Sequence, residues 1–336
     1  MQSIASNFFK RLQYYCRPIA RRLLAPPHPD KAPAPESGEI LLSRAIVIRV
    51  NEGLANQMIC YKAARLLAKL NSATLILDTT AYGSIKNNGR RNYQLHHHAI
   101  KPDLTVFSAA VMQKIREGAG HLQRIERKDL PGGYATEVPE NLLLGDNDRI
   151  LDLGFWAALH LRSLADRFFE ENNLLDEIRL RSLDELEQND LDLLRKIKSC
   201  EHPTAIHVRR GDYATHDGGL LLPREYYIRA ICRIEETHPD TEFFVFSDEP
   251  EWCKENLKST SPMYFADWNN DQTGYRDLYL ASRCRHFILS NESTFSHQIV
   301  QLSGRPKGSI VITSSMSDIV RHKLPSTKEP DDVMDT

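Results

Sequence analysis

The sequence predicts an α/β protein of two Rossmann-like lobes behind a basic amphipathic N-terminal extension. Three observations predict it. From Thr204 to Ile312, short β-branched or aromatic runs alternate regularly with helical ones. An isolated strand, loop, helix and strand stand between Ala45 and Leu77. A Pro-rich stretch separates both regions from the first 24 residues. Regular alternation implies a parallel sheet covered by helices on both faces. A chain of 336 residues has room for two cores of ordinary size.

In the extension, Phe8, Phe9, Leu12, Tyr15, Ile19 and Leu23 recur at spacings of one, three or four, with Lys10, Arg11, Arg17, Arg21 and Arg22 beside them. That pattern fits a helix lying in the interface of an anionic bilayer. A helix packed on the protein's own surface, or an unstructured start, fits it as well. The segment has no run of about 18 apolar residues, so a membrane-spanning helix is not expected. It also lacks the apolar core and small-residue cleavage site of a secretory signal. Pro26, Pro27, Pro29, Pro33 and Pro35 make the next stretch an extended linker.

The first strand is expected over 45–50, followed by a loop over 51–56, a helix over about 57–70 and a strand over 73–77. This is a βαβ unit. Its loop is too short and too poor in glycine for a dinucleotide fingerprint, so NAD is not expected. The middle, about 81–200, carries helical patterns over 157–171 and 174–198. The second is strongly acidic at its centre, most simply a solvated helix face. His96-His97-His98 lacks companion acids at ligand spacing and reads as a polar loop.

Alternation resumes with a strand over 204–208 and a helix over 223–236, which has Pro in its first turn and Tyr227, Ile231 and Ile234 on one face. Strands over 242–246, 263–265, 286–289 and 309–312 follow, with helices over 250–257, 275–283 and 293–302 between them. The formal charge of −2 argues against an extended nucleic-acid footprint. Cysteines 16, 60, 200, 232, 253 and 284 form no C-x-x-C pair, so neither a zinc site nor a dense disulfide framework is expected. Reduced thiols in a cytoplasmic enzyme are the simplest account.

The chemistry concentrates in Ile206-His207-Val208-Arg209-Arg210-Gly211-Asp212-Tyr213. A core strand here ends in two arginines, a glycine and an aspartate, which places cations at the carboxyl edge of a sheet. Open α/β sheets bind ligands at that edge. Paired guanidiniums suit an anion with several oxygens, because each planar fork bonds phosphate bidentately. The alternative is a surface arginine pair held by Asp212, or an accidental Arg-Gly-Asp loop.

This H-x-R-R-x-D-Y string resembles the hallmark of the inverting α-1,2-fucosyltransferases that use GDP-fucose, a glycosyltransferase family 11-like pattern. Gly53-Leu54-Ala55-Asn56-Gln57-Met58 with Tyr61 resembles that family's G-L-G-N-Q-M-x-x-Y. Phe246-Ser247-Asp248 with Glu251-Trp252-Cys253-Lys254 resembles its F-S-D-D-x-x-W-C-K. The run from Asp277 to Asn291 resembles its D-L-x-L-M-S-x-C-x-H-x-I-I-A-N. The resemblance spans about residues 44–312, in the family's order. There are departures. Ala55 replaces the usual second glycine, which leaves that loop less free to take positive φ. Glu292 and His297 alter the shape of a wall that bears on the acceptor more than on the reaction class.

The resemblance implies a glycosyltransferase B architecture: an amphipathic segment and linker over 1–43, an acceptor-side lobe over 44–200, a GDP-fucose-binding lobe over 201–324 and a polar tail over 325–336. It implies transfer of L-fucose from GDP-L-fucose to the 2-hydroxyl of a galactose-terminated surface glycan, with no cofactor and no metal. The implied partners are the donor and the glycan, with no nucleic acid. The implied location is cytoplasmic, with possible peripheral contact with an anionic membrane. A fucosyltransferase of another linkage and a non-catalytic nucleotide- or glycan-binding protein are the competing readings.

Arg209 and Arg210 are the candidates for the departing diphosphate. In a strand their side chains diverge, and the family usage gives Arg210 the leading role. His207 either bonds a phosphate or ribose hydroxyl or ties down the loop as a buried ring. Asp212 is expected to hold an arginine in place. Asp248 either accepts the N–H donors of guanine or caps the following helix, a role Ser247 could also take. Asn291, Ser293 and Thr294, between a strand and a helix, can bind phosphate oxygens, although capping alone explains Ser293. Gly53 lets backbone approach the donor. Asn56 bonds sugar or phosphate, or caps a helix beginning at Gln57. No spacing singles out a general base among Asp217, Glu52 and Asp212.

Overall fold

The computed structural model describes residues 44–83, 92–119, 121–145, 148–214, 221–290 and 293–315. The amphipathic segment, the polar tail, Asp217, Asn291 and Glu292 lie outside the described residues.

The first sheet contains β1 (Ala45–Arg49), β2 (Thr74–Asp78), β3 (Leu104–Val106), β4 (Leu122–Ile125) and β5 (Ile150–Leu153), in the order β3-β2-β1-β5-β4 and all parallel. Ala45, Val47, Ile76 and Ile150 cluster with Met112 and Ile115 of α2 (Ala109–Glu117) on one face. Ile46, Ile48, Leu75 and Leu77 join α1 (Leu54–Asn71) on the other. Both faces are covered, so these strands are continuously apolar rather than alternating. Helix α1 also packs against α3 (Phe155–His160) and α4 (Arg162–Glu171).

The second sheet has the order β10-β9-β6-β7-β8, again all parallel: β6 (His202–Val208), β7 (Thr241–Ser247), β8 (Met263–Ala266), β9 (His286–Leu289) and β10 (Val311–Thr313). Ile206 and Val208 of β6 pack with Tyr227 and Ile231 of α6 (Arg224–Thr237) and Cys253 of α7 (Pro250–Asn256). Ala205 packs on the other face with α8 (Gly274–Ala281) and α9 (Thr294–Ser303). That cluster is continuous with the core around α1, so one apolar body joins the two lobes.

Several expectations are corrected. The helix expected over 174–198 is two 3-10 turns, Leu175–Ile178 and Leu183–Glu185, followed by α5 (Gln188–Ser199). A reciprocal pair of side-chain caps between Glu187 and Asp190 starts α5 afresh. The acidic run is not simply a solvated face. Glu177 is buried and accepts from Tyr61 Oη (2.5 Å) and from Arg65, while Asp190 is buried and accepts from Trp268 Nε1 (2.8 Å). The helix expected over 157–171 is the pair α3 and α4, meeting at Leu161. The three histidines are no polar loop: His97 stacks on Tyr275 of α8 at 3.8 Å and pairs with Glu185, and His98 is buried.

Among the described residues no helix is long and apolar enough to cross a membrane. The described cysteines are all free thiols.

Candidate active site

In the second sheet the chain runs from β6 outward through β7 and β8, then crosses back to place β9 on the other side of β6. The crevice beyond the carboxyl ends of β6 and β9 is therefore a topological switch point, where open sheets bind ligands. The Arg-Arg-Gly-Asp segment emerges there, immediately after Val208.

The two arginines follow the end of β6 and meet different partners. Arg209 forms ion pairs through Nη2 with Asp212 Oδ1 (2.8 Å) and through Nη1 with Asp248 Oδ2 (3.0 Å). Burial works against its charge, yet the Asp248 and Asp212 carboxylates hold its guanidinium above the usual range. Arg210 turns to the opposite face. Its Nε donates to Glu249 Oε2 (2.9 Å), and its guanidinium lies 4.0 Å over the Trp252 ring. Among the described residues, none bonds the two terminal nitrogens of Arg210.

Asp248 organises this loop. Its Oδ1 accepts the Arg210 backbone N–H (3.0 Å) while Oδ2 holds Arg209. Burial pushes its carboxyl above the ordinary range in spite of that arginine. It does not cap α7, where Glu249 is the N-cap and no side chain bonds the helix end. Ser247 Oγ accepts the Glu249 N–H instead (3.0 Å). Gly211 is required beside it, because a Cβ there would lie 2.7 Å from Asp248 Oδ2.

His207 lies beneath the loop. It is buried, shares a 2.8 Å hydrogen bond with Ser296 Oγ of α9, and stacks on Phe295 at 4.9 Å. Burial first, and Arg209 second, push the ring down to about 3, so it is neutral at working pH. The ring is buried, as one of the two expectations for His207 had it, and its bond is to α9 rather than to the loop. Ser293 is the N-cap of α9, but its side chain makes no capping bond, and Thr294 opens the helix.

In the first lobe, α1 begins at Leu54, with Gly53 as N-cap and its carbonyl accepting the Asn56 and Gln57 N–H groups. Asn56 therefore sits inside the first turn and is not the cap. Its Oδ1 is buried with no hydrogen-bond partner among the described residues, and so is Asn51 Oδ1. Ala55 is helical and buried, so the missing glycine needs no positive φ. The strained position is Glu52, at φ 73°. Gln57, fully buried, holds that loop: Nε2 donates to Glu52 O (3.0 Å) and Asn92 O (2.8 Å), and Oε1 accepts from Gln94 N (2.9 Å). Gln94 in turn donates to Asp271 O (2.6 Å), and the Asp271 carboxylate acts on Arg209. The Gln94–Asp271 bond thus ties the donor-side loop of the first lobe to the second lobe.

The structure brings together Arg209, Arg210, Asp212 and Asp248, with His207 below them; Gly53, Asn56 and Glu52 stand on the other lobe. Sequence reasoning missed Glu249, Ser296 and Gln57 as partners. Trp252 and Gln57 both lie in the motifs quoted above, which was the available signal.

Three histidines also meet at the amino-terminal edge of the second sheet. His202, His238 and His286 offer ring nitrogens within 4.8 Å of one another. The Ile310 N–H donates to His286 Nδ1 (3.0 Å), which leaves the ring proton on Nε2, facing His202 Nδ1 at 3.2 Å. That bond uses the lone pair a metal would take.

Residues 141–331 match the model of glycosyl transferase family 11. The chain belongs to that family. It is 30% identical over 269 residues to the O-antigen biosynthesis glycosyltransferase WbnK of Escherichia coli, covering 73% of this chain and 85% of that protein. It is 25% identical over 263 residues to an alpha-1,2-colitosyltransferase of Escherichia coli, covering 74% and 84%. It is 29% identical over 157 residues to human galactoside alpha-(1,2)-fucosyltransferase 1, covering 44% and 41%. This family 11 member is a glycosyltransferase, and its paired Rossmann-like sheets form the two lobes of the B-type architecture.

Proposed function

We propose that this glycosyltransferase is an inverting galactoside 2-α-L-fucosyltransferase. It moves L-fucose from GDP-L-fucose to the 2-hydroxyl of a β-galactoside in a surface glycan. The observation that carries the reading is Arg210: a cation at the carboxyl edge of the second sheet, steadied by Glu249 and Trp252, with terminal nitrogens that bond no described residue. Arg209, already met by two carboxylates, is the weaker candidate for the diphosphate.

In this reading the acceptor hydroxyl attacks the anomeric carbon from the face opposite the leaving group, and its proton passes to solvent. The bond to the β-phosphate breaks, and negative charge grows on GDP. A fixed guanidinium aimed at that charge favours the transition state over the ground state. Ser293 and Thr294 would meet phosphate oxygens at the start of α9, a role proposed for Asn291 on its motif alone, and Gly53 and Asn56 would meet the donor from the other lobe. Asp248 keeps lone pairs for guanine N–H groups while it bonds the arginine loop. Asp212 is engaged by Arg209, and Glu52 lies on the strained loop of the first lobe.

Incubation with GDP-fucose and lactose, followed by GDP assay and linkage analysis, tests the proposal. GDP release with a 1,2-linked product supports it. A 1,3- or 1,6-linked product replaces it with another linkage, and binding without turnover replaces it with a silent binding protein. The colitosyltransferase relative favours a second reading, in which the transferred sugar is colitose, and direct competition between the two donors separates them. The arginines can neutralise the leaving group, so transfer is expected to survive excess chelator; loss with EDTA and recovery with manganese would overturn the metal-free mechanism. For the N-terminal segment we propose peripheral binding to anionic lipid, tested by liposome co-sedimentation with and without residues 1–36.

A further inference from the structure

The carboxyl edge of the first sheet carries a group of aromatic rings that the chemistry above does not use. Phe107 follows β3 directly and is 56% exposed. Its ring meets Tyr93 edge-on at 5.6 Å, and Tyr93 in turn stacks on His96 at 5.8 Å and contacts Tyr82 at 6.0 Å. Tyr93 is buried and fixes the group from below, while His96 and Phe107 are open to solvent. Desolvation of its packed face, with His97 second, pushes His96 down to about 4, so its ring is an uncharged flat surface at neutral pH.

This patch is built into the donor-side loop. Tyr82 Oη donates to Glu52 O (2.9 Å), the same carbonyl that accepts from Gln57 Nε2. Glu52 precedes Gly53, where α1 begins. The rings therefore border the loop assigned above to the donor, at the same edge of the same sheet. Exposed aromatic surface beside a polar site marks a ligand groove more often than chance exposure does. A sugar is the ligand whose chemistry fits, because a pyranose presents C–H groups on its face and hydroxyls around its rim.

We infer that Phe107, with Tyr82 and His96, is the platform on which the acceptor sugar stacks. The inference rests on the galactoside reading above and deepens it. In β-galactose the axial 4-hydroxyl leaves H3, H4 and H5 together on one face, a continuous apolar patch. Stacking through that face leaves the equatorial 2-hydroxyl at the ring's rim, free to attack a donor beside the platform. Glucose, with its equatorial 4-hydroxyl, has no such contiguous patch. The platform thus selects galactosides over glucosides before any hydrogen bond is made.

The test uses the full chain and two variants, Phe107→Ala and Phe107→Trp. Phe107→Ala is expected to raise the KM for lactose about tenfold, the loss of one aromatic contact of roughly 1.4 kcal/mol, while the KM for GDP-fucose moves by less than about twofold. Phe107→Trp, which keeps a flat ring, restores the acceptor KM. An unchanged acceptor KM in Phe107→Ala overturns the platform. So does an equal rise in both constants that Trp does not rescue, since that marks a structural role. Saturation-transfer NMR with methyl β-galactoside and no donor separates this inference from the transfer reaction. Saturation of H3, H4 and H5 that disappears in Phe107→Ala supports the platform even if the wild type transfers no fucose. Absence of that saturation in the wild type overturns it.

Discussion

Two adjacent arginines with different partners define the site at the scale of single residues. Arg209 is fixed between Asp212 and Asp248, whereas Arg210 is steadied through one nitrogen and a ring. Arg210→Ala is expected to lower kcat roughly a hundredfold or more, the usual loss for one transition-state charge partner. Arg210→Lys recovers only part, because an ammonium cannot replace the fork. Wild-type turnover in folded Arg210→Ala would falsify the assignment. Gly211→Ala tests the loop behind it. The new methyl would press within 2.7 Å of Asp248 Oδ2, the oxygen that holds Arg209. GDP binding measured by calorimetry is expected to weaken about tenfold, in line with loss of a charge-assisted bond, with little change in Tm. Tight GDP binding by this variant would show that Asp248 is not needed where it stands. The divergence of the arginines was legible from strand parity, since His207 and Arg209 follow one face and Val208 and Arg210 the other. Their partners were not, because Glu249, Trp252 and Ser296 arrive from other elements, and parity says nothing about what packs across a sheet edge.

At the scale of elements, α1 and α9 meet around one buried cation. Lys62 of α1 is 1% exposed and donates to Asp166 of α4 and to Gln298 (3.1 Å) and Gln301 of α9. Burial pulls its ammonium below the usual range, and the Asp166 carboxylate opposes that pull. Both helices begin at the candidate site, α1 from Gly53 and α9 from Ser293, so Lys62 helps fix one start relative to the other. Removing the acid strands the cation, while removing the cation relieves its desolvation. Asp166→Ala is therefore expected to cost about 3 kcal/mol, and Lys62→Met, which keeps the volume, much less. Urea unfolding of the two variants checks the order; a larger loss in Lys62→Met would mean that the ion pair outweighs its desolvation. The βαβ rhythm revealed α1 and α9 in the sequence, with the start of α1 placed three residues late because Gly53 caps with its backbone rather than with a side chain. Nothing in the local pattern of either helix marks Lys62. Its partners lie 104, 236 and 239 residues away, and periodicity carries no information at that range. The acidic stretch leading into α5 failed for the same reason: Glu177, and Asp190 in the helix's first turn, resemble solvated residues until Arg65 and Trp268 are folded against them.

For the whole molecule, the joining of two lobes by polar contacts and one continuous core has a consequence for acid stability. His207, His98 and His286 are buried, and burial pushes their rings to about 3, about 4 and about 4. Their unfolded values lie near 6.5. Between those limits the unfolded chain binds more protons than the folded one, so stability falls as pH drops from about 6.5 toward 4. Asp277 acts in the opposite sense. Burial, with Asp190 adding to it, raises its carboxyl to about 7, although Asn269 donates to it. Its stabilising effect is complete below its unfolded value near 3.9 and is lost as pH rises toward 7. Over the shared window these histidines, with His96 acting in the same sense, outnumber Asp277 and the likewise raised Asp248, so the histidines decide the sign. Thermal unfolding is expected to show Tm lower by roughly 5–10 °C at pH 5 than at pH 7. His207→Asn, which keeps a polar group against Ser296 but cannot be protonated, is expected to reduce that difference, while Asp277→Asn enlarges it. The two variants move the slope in opposite directions only if both groups sit in their neutral forms inside the fold. A Tm that rises on acidification, or a slope that neither variant changes, would place the acid-sensitive groups elsewhere.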